Sequence, residues 1–578
     1  MRYRIIQCSQ KIKRILCTEE KDRGHKEEPM EIMKVSMWEE DYVIPTYKVY
    51  PPEKNPLFIE KRAYQGSTGK VYPLPVTEKI SDTKEDVTYR AVFLENEYLK
   101  VMILPEIGGR IQRAYDKTNG YDFVYYNHVI KPALVGLTGP WISGGIEFNW
   151  PQHHRPSTYS PVDYRLSENP DGSCTVYVGE TDKMYGTKGM AAISLYPGKA
   201  YIEIKGQLYN PTDLPQTFLW WANPAVPVND HTYSVFPPDV NAVMDHGKRA
   251  VSTFPIATGE YYKADYSAGV DISRYKNVKV PTSYMAAHSD YNFIGNYDEG
   301  VEAGLLHVAD HHISPGKKQW TWGNGDFGRS WDRNLTETDG PYIELMTGVF
   351  TDNQPDFTWL KPQEEKTFVQ YFMPYKGVGR VGNATKEAAV SLTALEDGKA
   401  VLKVYTTGVR ENSKITVKRK GVMLYETCTD LSPEQCFGAE FAVGENLEDC
   451  VVTVMQGAQI LVSYKVYKSK LEPVPKPADA IPAPEKLKTT EELYLAATHL
   501  EQYRHATREP ADYYLHGLEL DGTDIRLNNG YGLLLYRRGR IKESIRYFRQ
   551  AVKKQTWKNP NPYNGECYFN LGLAEYFL

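Results

Sequence analysis

The sequence predicts a mainly β protein in which a large antiparallel β-sandwich and a smaller β-sandwich precede an α-helical tail. Two observations carry this prediction. Short segments with strand-like alternation, each bounded by Gly, Pro, Asn or Asp, recur over residues 85–375 and 386–468. After the proline-rich stretch LEPVPKPADAIPAPEK, the hydrophobic period becomes helical from residue 488 onward. At 578 residues the chain is too long for a single hydrophobic core, so several domains are expected.

Each segment from the N-terminus onward has its own pattern. The first residues are basic and lack a sustained apolar stretch, which predicts a dispensable extension. The next residues alternate around prolines, as in VSMWEEDYVIPTYKVY, and predict short strands. The predicted domains are an N-terminal extension (1–32), an N-terminal β segment (33–84), the large sandwich (85–375), a small sandwich of immunoglobulin type (376–470), a proline-rich linker (471–486) and helical repeats (487–578).

The helical tail has the spacing of a tetratricopeptide repeat. Gly532, Gly539, Phe548 and Ala551 stand at its characteristic offsets, with Ser544 where a small alanine is usual. Such repeats bury their faces only against neighbours, and the sequence ends within a helical segment, so we expect a truncated array. The repeats predict a protein partner or self-association. The stiff linker predicts few contacts between them and the sandwiches.

Composition and charge exclude several classes of function. A net charge of −5 argues against a nucleic-acid partner. No apolar run approaches the roughly 20 residues that a membrane helix needs, so no membrane association is expected. The seven cysteines are scattered and form no C-x-x-C pair, which favours a reducing compartment and predicts a cytoplasmic protein. No P-loop or dinucleotide-binding glycine motif is present, and no cofactor is expected.

One Gly-rich segment, GGIEFNWPQHH (144–154), concentrates residues suited to sugar chemistry. Glu147, His153 and His154 supply a carboxylate and two imidazoles for proton transfer near neutral pH. Trp150 offers a flat apolar face on which a sugar ring stacks. Because loops often carry function, we interpret the segment as a site for a mono- or oligosaccharide. The alternative is a hairpin whose histidines bond to backbone carbonyls.

A second aromatic segment contains the other candidate carboxylate. Glu344 lies in GPYIELMTG, where strand alternation directs its side chain away from its apolar neighbours. If that face binds ligand, Glu344 and Glu147 form the acid/base pair of a glycoside hydrolase, with His153 or His154 tuning one of them. The alternative is a solvent-facing strand glutamate. The segment TWGNGDFGRSWDRN supplies four further candidates for sugar binding, with a surface loop of ion pairs as the alternative: Trp322, Asp326, Trp331 and Asp332.

The histidine-rich segment HVADHHISPG contains His307, Asp310, His311 and His312. Their spacing could supply metal ligands, but a metal site also requires converging geometry and supporting hydrogen bonds. We interpret this segment as a polar hairpin turn and expect no metal.

Two segments resemble a known superfamily. LPEIGGRIQRAYDKTNGYDFVYYN (Leu104–Asn127) has a Gly-Gly-Arg turn after a strand, and PQEEKTFVQYFMPY (Pro362–Tyr375) has a strand entered by a proline and acidic residues. Both resemble the galactose-mutarotase-like superfamily. The order of segments is similar to that of a bacterial family in which a mutarotase-like domain precedes tetratricopeptide repeats. The resemblance covers roughly residues 40–375 and the helical tail, and it implies a mutarotase-like sandwich.

The resemblance also implies a site. Aldose epimerases of this fold use a histidine acid, a glutamate base and an arginine that binds sugar hydroxyls. The matching residues are His153 or His154, Glu344 and Arg110, although Gly-Gly-Arg stands where the epimerases have Asn-Gly-Arg. Two alternatives therefore stand beside the glycoside hydrolase: an aldose 1-epimerase and a non-catalytic carbohydrate-binding module. The sugar, its linkage, the stereochemical outcome and the oligomeric state stay open.

Overall fold

The structure is a computed structural model that describes residues 34–55, 71–354, 356–444, 446–468, 473–503 and 508–578. The expected extension over residues 1–32 lies outside the described residues. Antiparallel strands make up most of the secondary structure, and helices follow near the end of the chain, which confirms the predicted fold class.

The strands up to residue 376 are, in chain order, β1 (Ser36–Val49), β2 (Ile80–Glu95), β3 (Leu99–Leu104), β4 (Arg110–Asp116), β5 (Tyr121–Val124), β6 (Ala133–Gly136), β7 (Gly139–Trp141), β8 (Ile146–Asn149), β9 (Asp163–Glu168), β10 (Cys174–Thr181), β11 (Lys188–Leu195), β12 (Ile202–Tyr209), β13 (Gln216–Phe218), β14 (Trp221–Pro227), β15 (Thr232–Val235), β16 (Ala242–Met244), β17 (Val251–Thr253), β18 (Ile256–Ala257), β19 (Glu260–Tyr261), β20 (Ala264–Asp265), β21 (Val270–Asp271), β22 (Thr282–Ala286), β23 (Phe293–Asp298), β24 (Ala303–Ala309), β25 (Gly316–Thr321), β26 (Tyr342–Gly348), β27 (Thr358–Leu360) and β28 (Glu365–Lys376).

The remaining strands and the α-helices are β29 (Asn383–Ala384), β30 (Ala388–Ala394), β31 (Lys399–Thr406), β32 (Arg410–Arg419), β33 (Val422–Leu431), β34 (Phe437–Ala442), β35 (Cys450–Gln456), β36 (Gln459–Lys465), α1 (Asp326–Leu335), α2 (Thr490–Tyr503), α3 (Pro510–Leu520), α4 (Ile525–Arg537), α5 (Ile541–Gln555) and α6 (Glu566–Tyr576).

Two antiparallel sheets form the large sandwich. The main sheet has the order β1–β2–β3–β4–β8–β14–β26–β25–β22–β16–β17, with β5 paired to β4. The opposing sheet has the order β15–β23–β24–β28–β12–β11–β10–β9. Side chains from the facing surfaces, such as Ile146, Phe148, Leu345 and Ile204, interdigitate as one core. Because successive side chains along a strand point to opposite faces, the other face of the main sheet is available for polar residues.

The second sandwich is smaller and has its own core. Its sheets have the orders β29–β30–β31–β34 and β33–β32–β35–β36, and all of their pairings are antiparallel. Alternating apolar residues from both sheets, including Val390, Leu402, Val417 and Val452, pack between them. This arrangement agrees with the immunoglobulin-like sandwich that the strand spacing predicts.

The helices after the linker pack in antiparallel succession, as repeat spacing predicts. A Cβ atom at position 532 would lie 2.7 Å from the Phe548 ring, so α4 and α5 approach closely because Gly532 has no side chain. In the part of the chain that the structure describes, none of the helices has both the length and the apolar character that spanning a membrane requires.

A few hydrogen bonds join the helices to the large sandwich, and the expectation of few contacts between them stays a prediction. Gln502 Nε2 on α2 donates to the Phe357 carbonyl at 2.5 Å, and Arg537 on α4 donates to the Pro215 carbonyl. The linker also takes part, because the Ala478 amide donates to the Lys248 carbonyl at 2.7 Å.

Candidate active site

A row of polar side chains crosses the outer face of the main sheet. In the strand register Glu147 lies opposite Asn223, and Trp320 lies opposite both Glu344 and Ser283. Directly opposed residues of antiparallel strands share one face. The alternation that buries apolar residues such as Ile146 and Ile343 between the sheets therefore directs this row outward, where loops cover it.

A small pocket opens in this row. Its cavity has about 20 Å³ of free space, room for about one water molecule. The partly exposed lining residues, Val135, Trp320 and Trp322, form its mouth, while the other lining residues are buried. The full lining comprises Val135, Trp141, His153, His154, Lys318, Trp320, Trp322 and Glu344.

Glu147 lies beside the pocket and is held by hydrogen bonds. Its Oε2 accepts from Trp141 Nε1 at 3.0 Å and bonds to His154 Nδ1 at 3.1 Å, and its Oε1 accepts from Thr158 Oγ1 at 2.6 Å. Burial alone would raise the pKa of Glu147, but the His154 ring, Arg110 and the Thr158 hydroxyl outweigh it and hold the pKa at about 2. Glu147 is therefore an ionised carboxylate at neutral pH, and it orients the His154 ring.

Glu344 lies in a contrasting environment. Its hydrogen bond from Asn223 Nδ2 is long, 3.3 Å. Burial raises the pKa of Glu344, although the His154 ring and Lys318 oppose this rise. Burial likewise lowers the pKa of Lys318, which lies 1% exposed in the same pocket. The proton affinities of Glu344 and Lys318 are therefore similar, and near neutral pH a proton can reside on either side chain.

The two adjacent histidines are both buried, and their rings lie 3.9 Å apart. His154 has a backbone φ of +44°, an uncommon conformation for a residue with a side chain. Such strain persists where surrounding contacts hold it, and here Glu147 holds the ring. His153 bonds instead through Nδ1 to Gln354 Nε2 at 2.5 Å. Burial lowers the pKa of His153 well below its usual value.

Arg110 does not point its guanidinium at a ligand site, contrary to the role that the resemblance implies. Its Nη1 donates to the Ile142 carbonyl at 3.0 Å, and its Nη2 donates to the Gly144 carbonyl. Next to this turn, Gly145 has a φ of +65°, and a Cβ atom there would lie 2.1 Å from the Ile111 carbonyl oxygen. Arg110 therefore stabilises the turn that leads into β8, and its positive charge interacts with Glu147 and Glu344.

The predicted role of Trp150 in stacking a sugar is also wrong. Its side chain is 2% exposed and lies in the core between the two sheets. Gly189 on the opposing sheet makes room for it, since a Cβ atom there would lie 2.3 Å from the Trp150 ring. The residue follows the last strand position of β8, and the alternation along β8 directs it inward.

The predicted residues of the segment after β25 lie at different distances from the pocket. Trp322 lines it, and the Trp331 ring stacks on Trp322 with centroids 4.2 Å apart. Asp332 is half-buried on α1, and burial raises its pKa to about 6. Asp326 is exposed at the first turn of α1 and does not line the pocket. The structure thus brings the two tryptophans to the mouth of the pocket and leaves Asp326 outside it.

Comparisons with known proteins show which family models match this chain. A family model described as "Domain of unknown function (DUF5107)" matches residues 67–375, more than half of the chain. The chain belongs to this family. A second model, described as the second domain of a YphG-like protein, matches residues 383–464, the small sandwich.

Solved structures similar to this DUF5107 chain include a TPR-domain-containing protein from Parabacteroides distasonis, with 19% identity over 93% of this chain and 80% of that one and a TM-score of 0.54. A putative mutarotase, YeaD, from Salmonella typhimurium has 11% identity over 50% of this chain and 91% of its own, with a TM-score of 0.36. A putative aldose 1-epimerase from Klebsiella pneumoniae has 11% identity, 50% and 79% coverage and a TM-score of 0.37. The structural neighbours are thus galactose-mutarotase-like proteins and a TPR-domain protein.

The histidine-rich segment lies apart from the pocket of this DUF5107 chain. His307 is fully buried and bonds to the Leu345 carbonyl and to Thr347 Oγ1, at 3.3 and 3.1 Å. The other three candidates lie together in the turn after β24, with ligand atoms within 4.8 Å of one another: Asp310, His311 and His312. They could hold a metal ion, whereas the fourth candidate, His307, is committed to hydrogen bonds elsewhere.

Several residues in or around the pocket are absent from the predictions made from the sequence. Lys318 could have been found, because it precedes Trp320 by two positions and so shares its face of the strand. Asn223 is similarly placed opposite Glu147. Gln354 and His246 left no such signal, since loops from distant parts of the chain bring them to the site.

Proposed function

We propose that this chain is a carbohydrate-active enzyme that interconverts the anomers of a free aldose. In this reaction Glu344 gives a proton to the sugar and His154 takes one from it. One observation carries the proposal: Glu147 holds His154 through Nδ1, beside a second, weakly bonded glutamate whose burial favours its protonated form. A carboxyl group that can give a proton and an imidazole that can take one are the equipment that general acid–base catalysis requires. The tryptophans at the pocket mouth favour a sugar ring as the substrate.

The proposed reaction begins with Glu344 protonated and His154 neutral. Since a carboxylate only accepts hydrogen bonds, His154 holds its proton on Nδ1 toward Glu147, and Nε2 carries the lone pair. His154 Nε2 takes the proton of the anomeric hydroxyl, and Glu344 gives its proton to the ring oxygen. The bond between the anomeric carbon and the ring oxygen breaks as the carbonyl forms. Rotation of the carbonyl and the reverse transfers close the other anomer and restore both groups.

These roles are the reverse of the histidine acid and glutamate base that the resemblance implies. Reversal is consistent with the environments, because burial favours the uncharged state of a carboxyl group. Lys318 supports the cycle in its protonated form, since its ammonium stabilises the carboxylate that remains when Glu344 has given its proton to the ring oxygen. The charge that develops during transfer therefore remains paired within the pocket.

The geometry favours this reaction over glycoside hydrolysis by a Glu147–Glu344 pair. A hydrolytic pair needs two carboxyl groups that face the substrate, one as acid and the other as base or nucleophile. Both oxygens of Glu147 are engaged by Trp141, His154 and Thr158, and its pKa of about 2 excludes it as an acid near neutrality. Its proposed task is to orient His154.

The cavity requires an opening step before a sugar can enter. A pyranose needs far more space than the free volume of the pocket, and the stacked Trp322 and Trp331 rings are the movable side chains at its mouth. We expect the two rings to separate and one of them to stack on the sugar.

Anomer exchange measured by ¹H NMR tests the proposal. A panel of freshly dissolved α-aldoses is followed with wild-type protein, and glycosides of the same sugars are followed in parallel for hydrolysis. We expect accelerated exchange of at least one aldose, a loss of about 10²-fold or more in kcat for Glu344→Gln, and KM within a few-fold. Glu203→Gln, a half-buried glutamate of β12 on the opposing sheet, is the matched control and should exchange at the wild-type rate.

Three results would argue against the proposal. Hydrolysis without anomer exchange would restore the glycoside hydrolase. Sugar binding that is equal in wild type and Glu344→Gln, without any turnover, would favour a binding module. Wild-type turnover by Glu344→Gln would remove the catalytic role of this residue. The prediction of a protein partner for the repeats is independent of all three.

A further inference from the structure

A loop that follows β26 reaches into the site through one buried side chain. Gln354 is 1% exposed, and both ends of its amide are bonded to imidazoles. Its Nε2 bonds to His153 Nδ1 at 2.5 Å, and its Oε1 bonds to His246 Nε2 at 3.1 Å. On the far side of that second ring, Ser283 Oγ bonds to His246 Nδ1 at 2.7 Å. One strand, β22, and three connecting segments thus meet in one chain of hydrogen bonds.

The direction of this chain follows from the chemistry of the amide. Its nitrogen only donates, so His153 Nδ1 accepts and the proton of His153 resides on Nε2. Its oxygen only accepts, so His246 donates from Nε2 and receives the Ser283 hydroxyl proton at Nδ1. Burial lowers the pKa of both rings well below the usual value, so both are neutral. The chain therefore runs from Ser283 to His153 and ends on an N–H of a residue that lines the pocket.

The neighbouring histidine has the opposite tautomer. His154 holds its proton on Nδ1 toward Glu147, which leaves the Nε2 lone pair as the acceptor. Two adjacent imidazoles thus have different tasks because different partners hold their Nδ1 atoms. A donor at His153 can bind a sugar oxygen, while the acceptor at His154 takes a proton.

The loop after β26 that contains Gln354 is also hydrogen-bonded to the helical tail. Gln502 Nε2 on α2 donates to the Phe357 carbonyl at 2.5 Å, and Tyr503 on the next position of α2 bonds to the Asp356 carboxylate. Phe357 itself packs in a small core with Trp221 and Met346, beneath Trp320 of the pocket mouth. Helix α2 therefore holds the segment that contains Gln354.

We propose that Gln354 is a positioning residue that fixes His153 as a hydrogen-bond donor toward the sugar, and that helix α2 keeps Gln354 in place. The inference rests on the proposed function for the identity of the ligand, but the tautomer of His153 can be observed without any sugar. The helical tail thereby becomes part of the catalytic unit, and a partner that binds near α2 could change the activity of the pocket.

Nitrogen-15 NMR of the histidine side chains in the full chain tests the tautomer. The wild-type His153 ring should carry its proton on Nε2. In Gln354→Glu the new carboxylate only accepts, so a proton should appear on Nδ1 of His153, and kcat for anomer exchange should fall by about 10²-fold with little change in KM. In Gln354→Leu, which removes the partner without adding charge, the ring should populate both tautomers.

The NMR result distinguishes the positioning role of Gln354 from the proposed anomer-exchange reaction. A change of tautomer in these variants with no sugar turnover by wild type would retain the positioning role and reject the proposed reaction. If His153 keeps the wild-type tautomer in both variants, Gln354 does not set it and the inference is wrong.

A pair of glutamines tests the contribution of the helix. Gln502 and Gln555 both donate Nε2 to a backbone carbonyl, but Gln555 bonds to Asn564 within the helical tail, at 2.6 Å. Gln502→Leu should lower kcat by up to about tenfold, the effect of one lost hydrogen bond, and should perturb the His153 resonances. Gln555→Leu should leave both unchanged. Equal behaviour of the two variants would show that α2 does not support the site.

Discussion

Replacement of Glu147 by Gln tests whether this carboxylate orients the site or takes part in the reaction. Gln has the same shape and can still accept from Trp141 and His154, but it has no charge to stabilise a protonated His154. The pKa of Glu147 lies at about 2, against an ordinary value of 4.5. One pKa unit corresponds to about 1.4 kcal/mol, so the charged form stabilises the folded state by about 3 kcal/mol relative to the neutral form.

The sign of the pH dependence follows from the depressed pKa. A carboxylate with a lowered folded-state pKa contributes its full stabilisation above the unfolded value and loses it as pH falls through the folded value. Glu147→Gln should therefore unfold about 3 kcal/mol more easily than wild type at pH 7. The gap should close as the pH falls from about 4.5 toward 2. Urea unfolding of both proteins across this range, followed by tryptophan fluorescence, measures the difference.

Activity provides the second readout. With a weaker base at His154, anomer exchange should fall by about 10²-fold, while the affinity for sugar changes little. Glu203→Gln is again the control, and its effect on stability should be below about 1 kcal/mol. Equal stability of Glu147→Gln and wild type at pH 7, with no dependence of the difference on pH, would refute the assigned environment of Glu147.

Two further predictions concern the strands beneath the pocket. Lys318→Met should lower the rate of anomer exchange by more than about tenfold, since it removes the group that stabilises ionised Glu344. The adjacent Lys317 is also buried but does not line the pocket, so Lys317→Met should keep wild-type activity. Equal losses in the two variants would show that only packing matters. Gly189→Ala should destabilise the sandwich by about 1–3 kcal/mol, because its Cβ atom would lie 2.3 Å from the Trp150 ring; an unchanged melting temperature would show that the sheets move apart without cost.

Strand alternation made much of the fold and half of the site predictable. The pattern in YIELM directs Glu344 to the face opposite Ile343 and Leu345, and the structure places these apolar residues in the core. Glu147 also faces outward, from β8, although the composition of its Gly-rich segment predicts a loop there. Local pattern succeeds here because the period of a strand depends on few residues, and one apolar face fixes the other.

The errors arose where a side chain depends on distant parts of the chain. Trp150 has the composition of a sugar platform, but Gly189 on the opposing sheet provides the space that buries it. Arg110 matches a substrate-binding arginine, but the carbonyls of a neighbouring turn capture its guanidinium. Gln354 reaches His153 from about 200 residues away along the sequence. None of these partners is specified by the residues around it, so only the assembled fold reveals them.

The contrast between the two glutamates argues for the division of tasks within the site. Burial of a charge is costly unless hydrogen bonds and opposite charges satisfy it. Glu147 is satisfied by donors from Trp141, His154 and Thr158 and by the nearby Arg110, and a group so fully engaged has no capacity left for a substrate. Among the described residues, Glu344 accepts one long hydrogen bond, from Asn223, and it shares the pocket with Lys318, whose pKa is lowered. A buried carboxyl group that the protein leaves undersatisfied, at the wall of a pocket, is the one poised to exchange its proton with a ligand.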